Sequence, residues 1–371
     1  MRAKINKRSL VQTLSHLHSV VEKRNTIPIL ANVLIEAKDK KLMLAATDME
    51  IAELQSISCE VLQEGAVTTP AHILYDIVRK LPDEAMIELE SKEGKKLGIK
   101  SDKISFSLMC LPPNDFPDIH SGEYPEGFDI EATSLSRLID KTLFSVSTEE
   151  TRYYLNGIYL HSIKDGEQEV LRAVATDGHR LSRLSAALPN NVKNLEGVII
   201  PRKTVTEIKK IIDNLEGKVK IQIAKNKIKF TIDNVIITSK LLDGAFPDYE
   251  RVIPENNTKE LIVNKLEFIA AVDRVSTLSS DRTRAIKFSL VKKNLEITAE
   301  NPDQGSAKEN INVHYDGDDL EIGFNSKYLI DIARQITGAN IKFMLSDKLS
   351  PTLLLDEEDN LALYLLMPMH I

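Results

Sequence analysis

The chain of 371 residues has little with which to build a covalent or metal-held scaffold. Its two cysteines, Cys59 and Cys110, stand far apart with no partner spacing. That argues against a disulfide framework and a zinc knuckle, and two reduced thiols suit a cytosolic protein. No apolar run approaches the ~18 residues of a membrane span. The start Met1-Arg2-Ala3-Lys4-Ile5-Asn6-Lys7 has no apolar signal core, so a cytoplasmic protein without a membrane partner is expected. There is no excess of positive charge either: 48 Lys and Arg against 55 Asp and Glu give a formal charge of -7. Duplex binders usually carry a positive surface, so nucleic acid is a partner only if the bases are segregated onto one face. Also missing are GxxxxGK followed by Ser or Thr, GxGxxG and GxSxG, so no phosphate loop, dinucleotide fold or nucleophile elbow is indicated.

What the chain does have is repetition. Segments starting at Thr69-Pro70-Ala71, Ile200-Pro201-Arg202 and Phe324-Asn325-Ser326 share one helix-start signal and one apolar rhythm, with Pro70, Pro201 and Asn325 spaced by 131 and 124 residues. Ala46-Thr47-Asp48 returns as Ala175-Thr176-Asp177 and, degraded, as Ala299-Glu300-Asn301. Ser9-Leu10 returns as Ser134-Leu135 and Lys265-Leu266. Three anchors give one period and one order, so the chain reads as three copies of a domain of about 124 residues, each long enough to bury its own core. Boundaries fall in short polar loops, giving domains 1–125, 126–255 and 256–371.

Within each copy the reading is helix, strands, helix, strands. The opening helices show apolar residues at helical spacing: Leu10, Leu14, Leu17 and Val21; Leu135, Leu138, Ile139 and Val146; Leu266, Ile269 and Val272. Between helices, Val219, Ile221 and Ile223 alternate with Lys220 and Gln222, and Ile228, Phe230 and Ile232 follow a turn. Strands with one polar face suit antiparallel sheets covered by helices on one side, an α+β fold. Basic residues collect on the exposed helix positions: Lys7, Arg8, Lys23, Arg24, Arg79, Lys80, Arg137, Lys141, Arg202, Lys203, Lys209, Lys210 and Arg334. They read either as solvated faces paired with acids or, if all faced one lumen, as a basic surface inside an acidic protein.

A catalytic reading would take Asp177-Gly178-His179-Arg180 as a metal or general-base cluster. A lone Asp-x-His lacks the further ligands a metal needs, and no second His or Cys stands at ligand spacing. Thr176-Asp177-Gly178 reads instead as a strand-ending turn with glycine supplying a positive φ. No enzyme activity, cofactor or metal is expected. A passive scaffold that binds no DNA is the third alternative.

Six strings carry a closer likeness: Arg24-Asn25-Thr26-Ile27-Pro28-Ile29-Leu30, Arg152-Tyr153-Tyr154-Leu155-Asn156-Gly157, Ala175-Thr176-Asp177-Gly178-His179-Arg180-Leu181, Pro201-Arg202-Lys203, Phe246-Pro247-Asp248-Tyr249 and Met367-Pro368-Met369-His370-Ile371. In order and from end to end, the chain resembles the bacterial DNA polymerase III beta subunit, the sliding-clamp family. The resemblance implies three clamp domains, each of two helices packed on antiparallel sheets, and a head-to-tail homodimer closing a six-domain ring around double-stranded DNA as a processivity factor. It implies DNA contact, independent of base sequence, by Arg24, Arg79, Arg152, Tyr153, Tyr154, Arg202 and Lys203. Glu149 stands where a neutral glutamine is seen in a familiar family member. It implies a dimer interface through Phe106, Leu108 and Leu278. It also implies a pocket for short partner peptides, formed by Leu155, Thr176, Gly178, His179, Arg180, Leu181, Pro247, Arg251, Val252, Asn325, Tyr328, Leu349, Leu365, Leu366, Met367, Pro368 and Met369. The partners so implied are the polymerase III alpha subunit, the clamp loader delta subunit, repair polymerases and mismatch-repair proteins. His370-Ile371 replaces the family's usual Arg-Leu end.

Overall fold

The structure, a computed structural model, describes residues 1–22, 26–92, 94–119, 122–190, 192, 194–213, 215–280 and 282–370. Its described residues form six α-helices and four antiparallel sheets: α1 (Lys7–Val20), α2 (Ala71–Arg79), α3 (Ala132–Leu143), α4 (Arg202–Ile212), α5 (Lys265–Ser276) and α6 (Ser326–Ala333). Among the described residues no helix is long and apolar enough to cross a membrane. The fold is α+β.

The chain packs as two compact units. The first comprises Met1–Ser136, Pro189–Asn191 and Lys203–Leu241; the second comprises Arg137–Leu188, Val192–Arg202 and Leu242–Ile371. The first unit holds a five-stranded sheet in the order Glu60–Gln63, Arg2–Asn6, Met86–Lys92, Lys96–Ser101, Ile104–Met109. It also holds an eight-stranded sheet in the order Phe128–Glu131, Lys218–Ile223, Lys227–Ile232, Val235–Lys240, Ile51–Ser58, Lys41–Thr47, Asn32–Lys38, Gly65–Pro70. The larger sheet joins two sequence repeats through backbone bonds, with Glu53 opposite Ile237 and Gln55 opposite Val235. In the second unit a nine-stranded sheet repeats the device, Arg180–Ala187 pairing with Asp359–Leu366, and a four-stranded sheet completes it. Neighbouring repeats are thus stitched by strand ladders as well as by the polar loops that the sequence offers.

Local rules explain most elements. Asn6, Asn264 and Asn325 cap α1, α5 and α6 by accepting from the backbone N–H three residues on, which satisfies an otherwise orphan donor. Helix α1 buries Leu10, Leu14, Leu17 and Val20, one stripe at helical spacing. In α5 the stripe is Phe268, Ala271, Val272 and Val275, while Leu266 is 73% exposed. The phase expected from the sequence is therefore wrong there: Leu266 lies two residues, about 200° of helix, from Phe268 and points away from the core. Val146 is buried but stands beyond the end of α3.

Strand Ile104–Met109 is a sheet edge and leaves Ile104, Phe106 and Met109 at least 38% exposed, with Leu108 half-buried. An edge with an exposed apolar row needs a cover. Leu278, half-buried, lies two residues beyond the end of α5 rather than at it.

Candidate functional site

The second unit carries a tight turn between strands Gln168–Thr176 and Arg180–Ala187. Thr176 Oγ1 donates to the Arg180 carbonyl (2.7 Å) and accepts from Gly178 N (3.0 Å), while Asp177 Oδ1 accepts from His179 N (2.9 Å) and Arg180 N (3.0 Å). Gly178 sits at φ +86°, a conformation glycine adopts without strain, and a Cβ there would lie 2.5 Å from Arg152 Nη1, the mobile end of that side chain, so a larger residue would have to displace the guanidinium. The second Asp177 oxygen accepts from Arg180 Nε at 3.0 Å. Asp177 is thereby consumed in shaping the turn, and no cluster of His, Cys, Asp or Glu able to hold a metal occurs among the described residues.

Arg180 is buried and fixes the surroundings. Its guanidinium reaches Asp331 (2.8 Å) and the Phe144 carbonyl (2.6 Å) and lies 4.3 Å from the Tyr328 ring centre, a cation–π contact. Tyr328 in turn stacks near His179, and burial raises its hydroxyl pKa. Asn325 is the cap of the helix that carries Tyr328, a structural duty for an expected pocket residue.

The chain end is pinned to this turn. After strand Asp359–Leu366, Met367 N donates to the His179 carbonyl and Met369 N to the Gly323 carbonyl, both at 2.8 Å. The register sets Leu181 opposite Leu365 and Arg180 opposite Leu366. Beneath lies a cluster of Val174, Leu181, Tyr249, Leu353, Leu363 and Leu365, flanked by Phe246 and Tyr159. Met367 is 37% exposed and Leu349 57%. Leu349 and Met369 line an open groove of about 430 Å³ with Ile286, Gly323, Thr298 and His370. The structure therefore brings together Thr176, Gly178, His179, Arg180, Leu181, Asn325, Tyr328, Leu365, Leu366, Met367 and Met369. Leu155 is buried; Pro247, Arg251 and Val252 are exposed around buried Tyr249, with Arg251 paired to Asp248 at 2.6 Å.

Sequence reasoning missed what holds that last segment. Arg172, 3% exposed, bonds Glu250 (2.8 Å), Asp165 (2.5 Å) and Ser185 (3.0 Å), and Tyr249 pairs its hydroxyl with His161 Nε2 at 3.0 Å. Burial pushes the Tyr249 hydroxyl up to about 12, so it stays protonated. An arginine inside the otherwise apolar run Val170-Leu171-Arg172-Ala173-Val174-Ala175 is the available signal.

The basic helix positions are more paired than a bare lumen surface would be. Arg137 meets nearly buried Asp359 at 2.5 Å, Lys141 donates to the Gln335 carbonyl, and Lys209 and Lys210 bond Asp213 and Glu207. Lys203 is tied to the Asp48 carboxylate and the Val20 carbonyl, closing the end of α1 onto the 47–51 turn. Arg79, half-exposed, pairs with Asp76 at 3.0 Å and lies 5.7 Å from the Tyr75 ring centre. Glu149 accepts from Arg152 Nε (2.9 Å) and Nη2 (2.7 Å), so the departure at 149 offsets part of the Arg152 charge. Tyr153 is half-exposed with Tyr154 edge-on beside it, and Arg202 is exposed at the first turn of α4. Arg24 lies outside the described residues.

Three family models of the DNA polymerase III beta subunit match in succession: its N-terminal domain over residues 1–120, its central domain over 129–248 and its C-terminal domain over 250–370. The beta sliding clamp of Caulobacter vibrioides is 42% identical over 372 residues, and that of Escherichia coli 35%, each match covering 100% of both chains. Among solved structures, a sliding clamp (DNA polymerase III subunit beta) from Bartonella birtlesii bound to griselimycin superposes with a TM-score of 0.97 at 46% identity, again over 100% of both chains.

Proposed function

This chain belongs to the DNA polymerase III beta subunit family, the bacterial sliding clamps, and from that premise we propose that two copies close head to tail into a ring that encircles duplex DNA and tethers partner proteins to it. In this reading the repeats 1–125, 126–255 and 256–371 are the ring's domains. The exposed edge bearing Phe106 and Leu108 meets the Leu278 region of the other copy. Arg24, Arg79, Arg152, Tyr153, Tyr154 and Arg202 contact phosphates without reading bases, which leaves the ring free to slide. Lys203, held by Asp48, adds to the field more than to direct contact. The chain turns over no substrate; grip is topological, in the cytoplasm where replication runs.

The observation that carries the tethering role is the anchored chain end. An apolar C-terminus usually frays, yet Met367 is bonded to the His179 carbonyl and Met369 to the Gly323 carbonyl, just after a strand whose Leu363 and Leu365 pack in a core cluster. A groove lined by Met369, Leu349, Ile286 and Ile322, with the exposed Met367 beside the turn, offers adaptable apolar side chains suited to short apolar peptides of varied sequence, such as those of the polymerase alpha subunit, the clamp loader delta subunit, repair polymerases and mismatch-repair proteins. Such peptides lose ordering entropy on binding, so micromolar affinity resting on a few anchors is expected. Deleting Met367–Ile371 should abolish capture of a fluorescein-labelled peptide with two apolar anchors while sedimentation and circular dichroism stay unchanged. Equal anisotropy with the truncated and full chains would refute the assignment.

A further inference from the structure

The frame of the peptide site occurs twice. In the first unit Thr47 Oγ1 donates to the Ile51 carbonyl (2.9 Å) and accepts from Met49 N (3.0 Å), and Asp48 Oδ1 accepts from Glu50 N (2.9 Å) and Ile51 N (2.8 Å). These are the four bonds that Thr176 and Asp177 make, atom for atom, and Met49, at φ +79°, takes the place of Gly178. The strand after the turn again pairs with the last strand of the following repeat, Ile51 opposite Ser239, and Lys240 N donates to the Glu50 carbonyl (2.9 Å) as Met367 N does to that of His179. Phe116-Pro117-Asp118 stands for Phe246-Pro247-Asp248, with Phe116 packed on Ile29, Leu30 and Ala45.

The chemistry in the repeated frame is different. Where the second unit has Leu365, Leu366 and Met367, the first has Thr238, Ser239 and Lys240. Beside the turn lies a hollow of about 180 Å³ lined by Thr47, Met49, Lys227, Thr238 and Lys240, and adjoining it a smaller one of about 80 Å³ lined by Leu54, Ile119, Ile236 and Lys229. Lys227 stands directly across from Lys240 in the ladder, a like-charge pairing that costs stability and calls for a reason. Lys229, two residues along the same face, lies 5.2 Å from the Tyr124 ring centre. The acids in the lining are Glu50, which pairs with Lys240 at 2.9 Å, and Asp118, which has a partner of its own. Among the described residues Lys227 has no ion-pair partner.

We propose that this hollow is a second docking site, for an acidic segment of a partner protein: carboxylates settle on Lys227 and Lys229 while one apolar side chain enters the smaller hollow against Leu54, Ile119 and Ile236. The inference rests on the reading of the C-terminal groove as a peptide site, since the shared frame is what suggests a shared use.

The test uses the full-length protein and a fluorescein-labelled peptide of four Asp and Glu residues around one central Leu, followed by anisotropy. The Lys227→Glu, Lys229→Glu double variant should bind about tenfold or more weakly, and Lys227→Gln with Lys229→Gln, which adds no charge, should show the same direction if the first variant fails to fold. Binding should weaken as salt rises from about 50 to about 300 mM, and deletion of Met367–Ile371 should leave it intact. Unchanged affinity in both lysine variants, absence of binding to the wild type, loss of binding on the C-terminal deletion, or displacement by unlabelled duplex DNA would each overturn the proposal. The apolar peptide supplies the separate control: if it still binds the truncated chain, the C-terminal reading fails without touching this one.

Discussion

Replacing Glu53 with glutamine should make the protein more stable at alkaline pH and leave it nearly unchanged in mild acid. Glu53 lies on strand Ile51–Ser58 with no solvent exposure; one oxygen accepts from Gln55 Nε2 at 2.6 Å and the other has no hydrogen-bond partner among the described residues. Gln55 Nε2 is 3.1 Å from His16 Nδ1 on α1, and the neighbouring carboxylate, Glu207 on α4, is bonded by Ser19 (2.5 Å) and Lys210 (2.8 Å). Burial first, then the Glu207 charge, against the opposing hydrogen bond from Gln55 and the charge of Lys210, pushes Glu53 up to about 7 from an ordinary 4.5. That gap is worth about 3 kcal/mol at 1.36 kcal/mol per pH unit. Between those two values the folded chain keeps a proton that the unfolded chain has released, so stability falls as pH rises through the window and levels off above it. His16 acts in the opposite sense, because burial lowers its pKa, but it is common to both proteins and cancels in the difference. Urea unfolding by circular dichroism should therefore show Glu53→Gln more stable by up to about 3 kcal/mol near pH 8 and by close to nothing near pH 4.5. An equal difference at both pH values, or a variant less stable near pH 8, would refute the buried-acid account.

Changing Phe106 and Leu108 together to aspartate should give monomers at micromolar concentration by sedimentation, because two charges would stand on the apolar edge; an unchanged dimer would remove that edge from the interface. Arg79→Ala with Arg202→Ala should weaken DNA binding equally for all sequences and reduce the log–log salt slope by about 0.9 for each phosphate no longer neutralised; weakening confined to one sequence would contradict the clamp reading. Lys203→Ala should lower thermal stability more than that slope, since its ammonium serves Asp48 and Val20. Arg180→Ala should cost about 3–5 kcal/mol by leaving the partly buried Asp177 and Asp331 uncompensated; a variant melting at the wild-type temperature would show those carboxylates to be better solvated than their burial indicates.

The sequence by itself determined whatever depends on neighbours a few residues apart. Asparagine caps at 6, 264 and 325, the Thr-Asp turns at 47 and 176, and strands that alternate such as Lys218–Ile223 follow from bonds and faces set within one or two turns of chain. The threefold order of the domains followed from the same signals recurring, and the family strings marked the Gly178 turn and the Met367–Met369 end, which the structure sets side by side through the Met367 to His179 backbone bond. Tertiary structure alone decided the outcomes that hinge on which distant group arrives. Lys203 is an exposed helix cation until Asp48, 155 residues away, takes it; Arg172 is an oddity in a strand until Glu250 closes on it. Glu53 sits between the half-buried Ala52 and Leu54, yet the packing of α1 on its strand removes its water, and without water the charge of a carboxylate becomes a cost that no local pattern records.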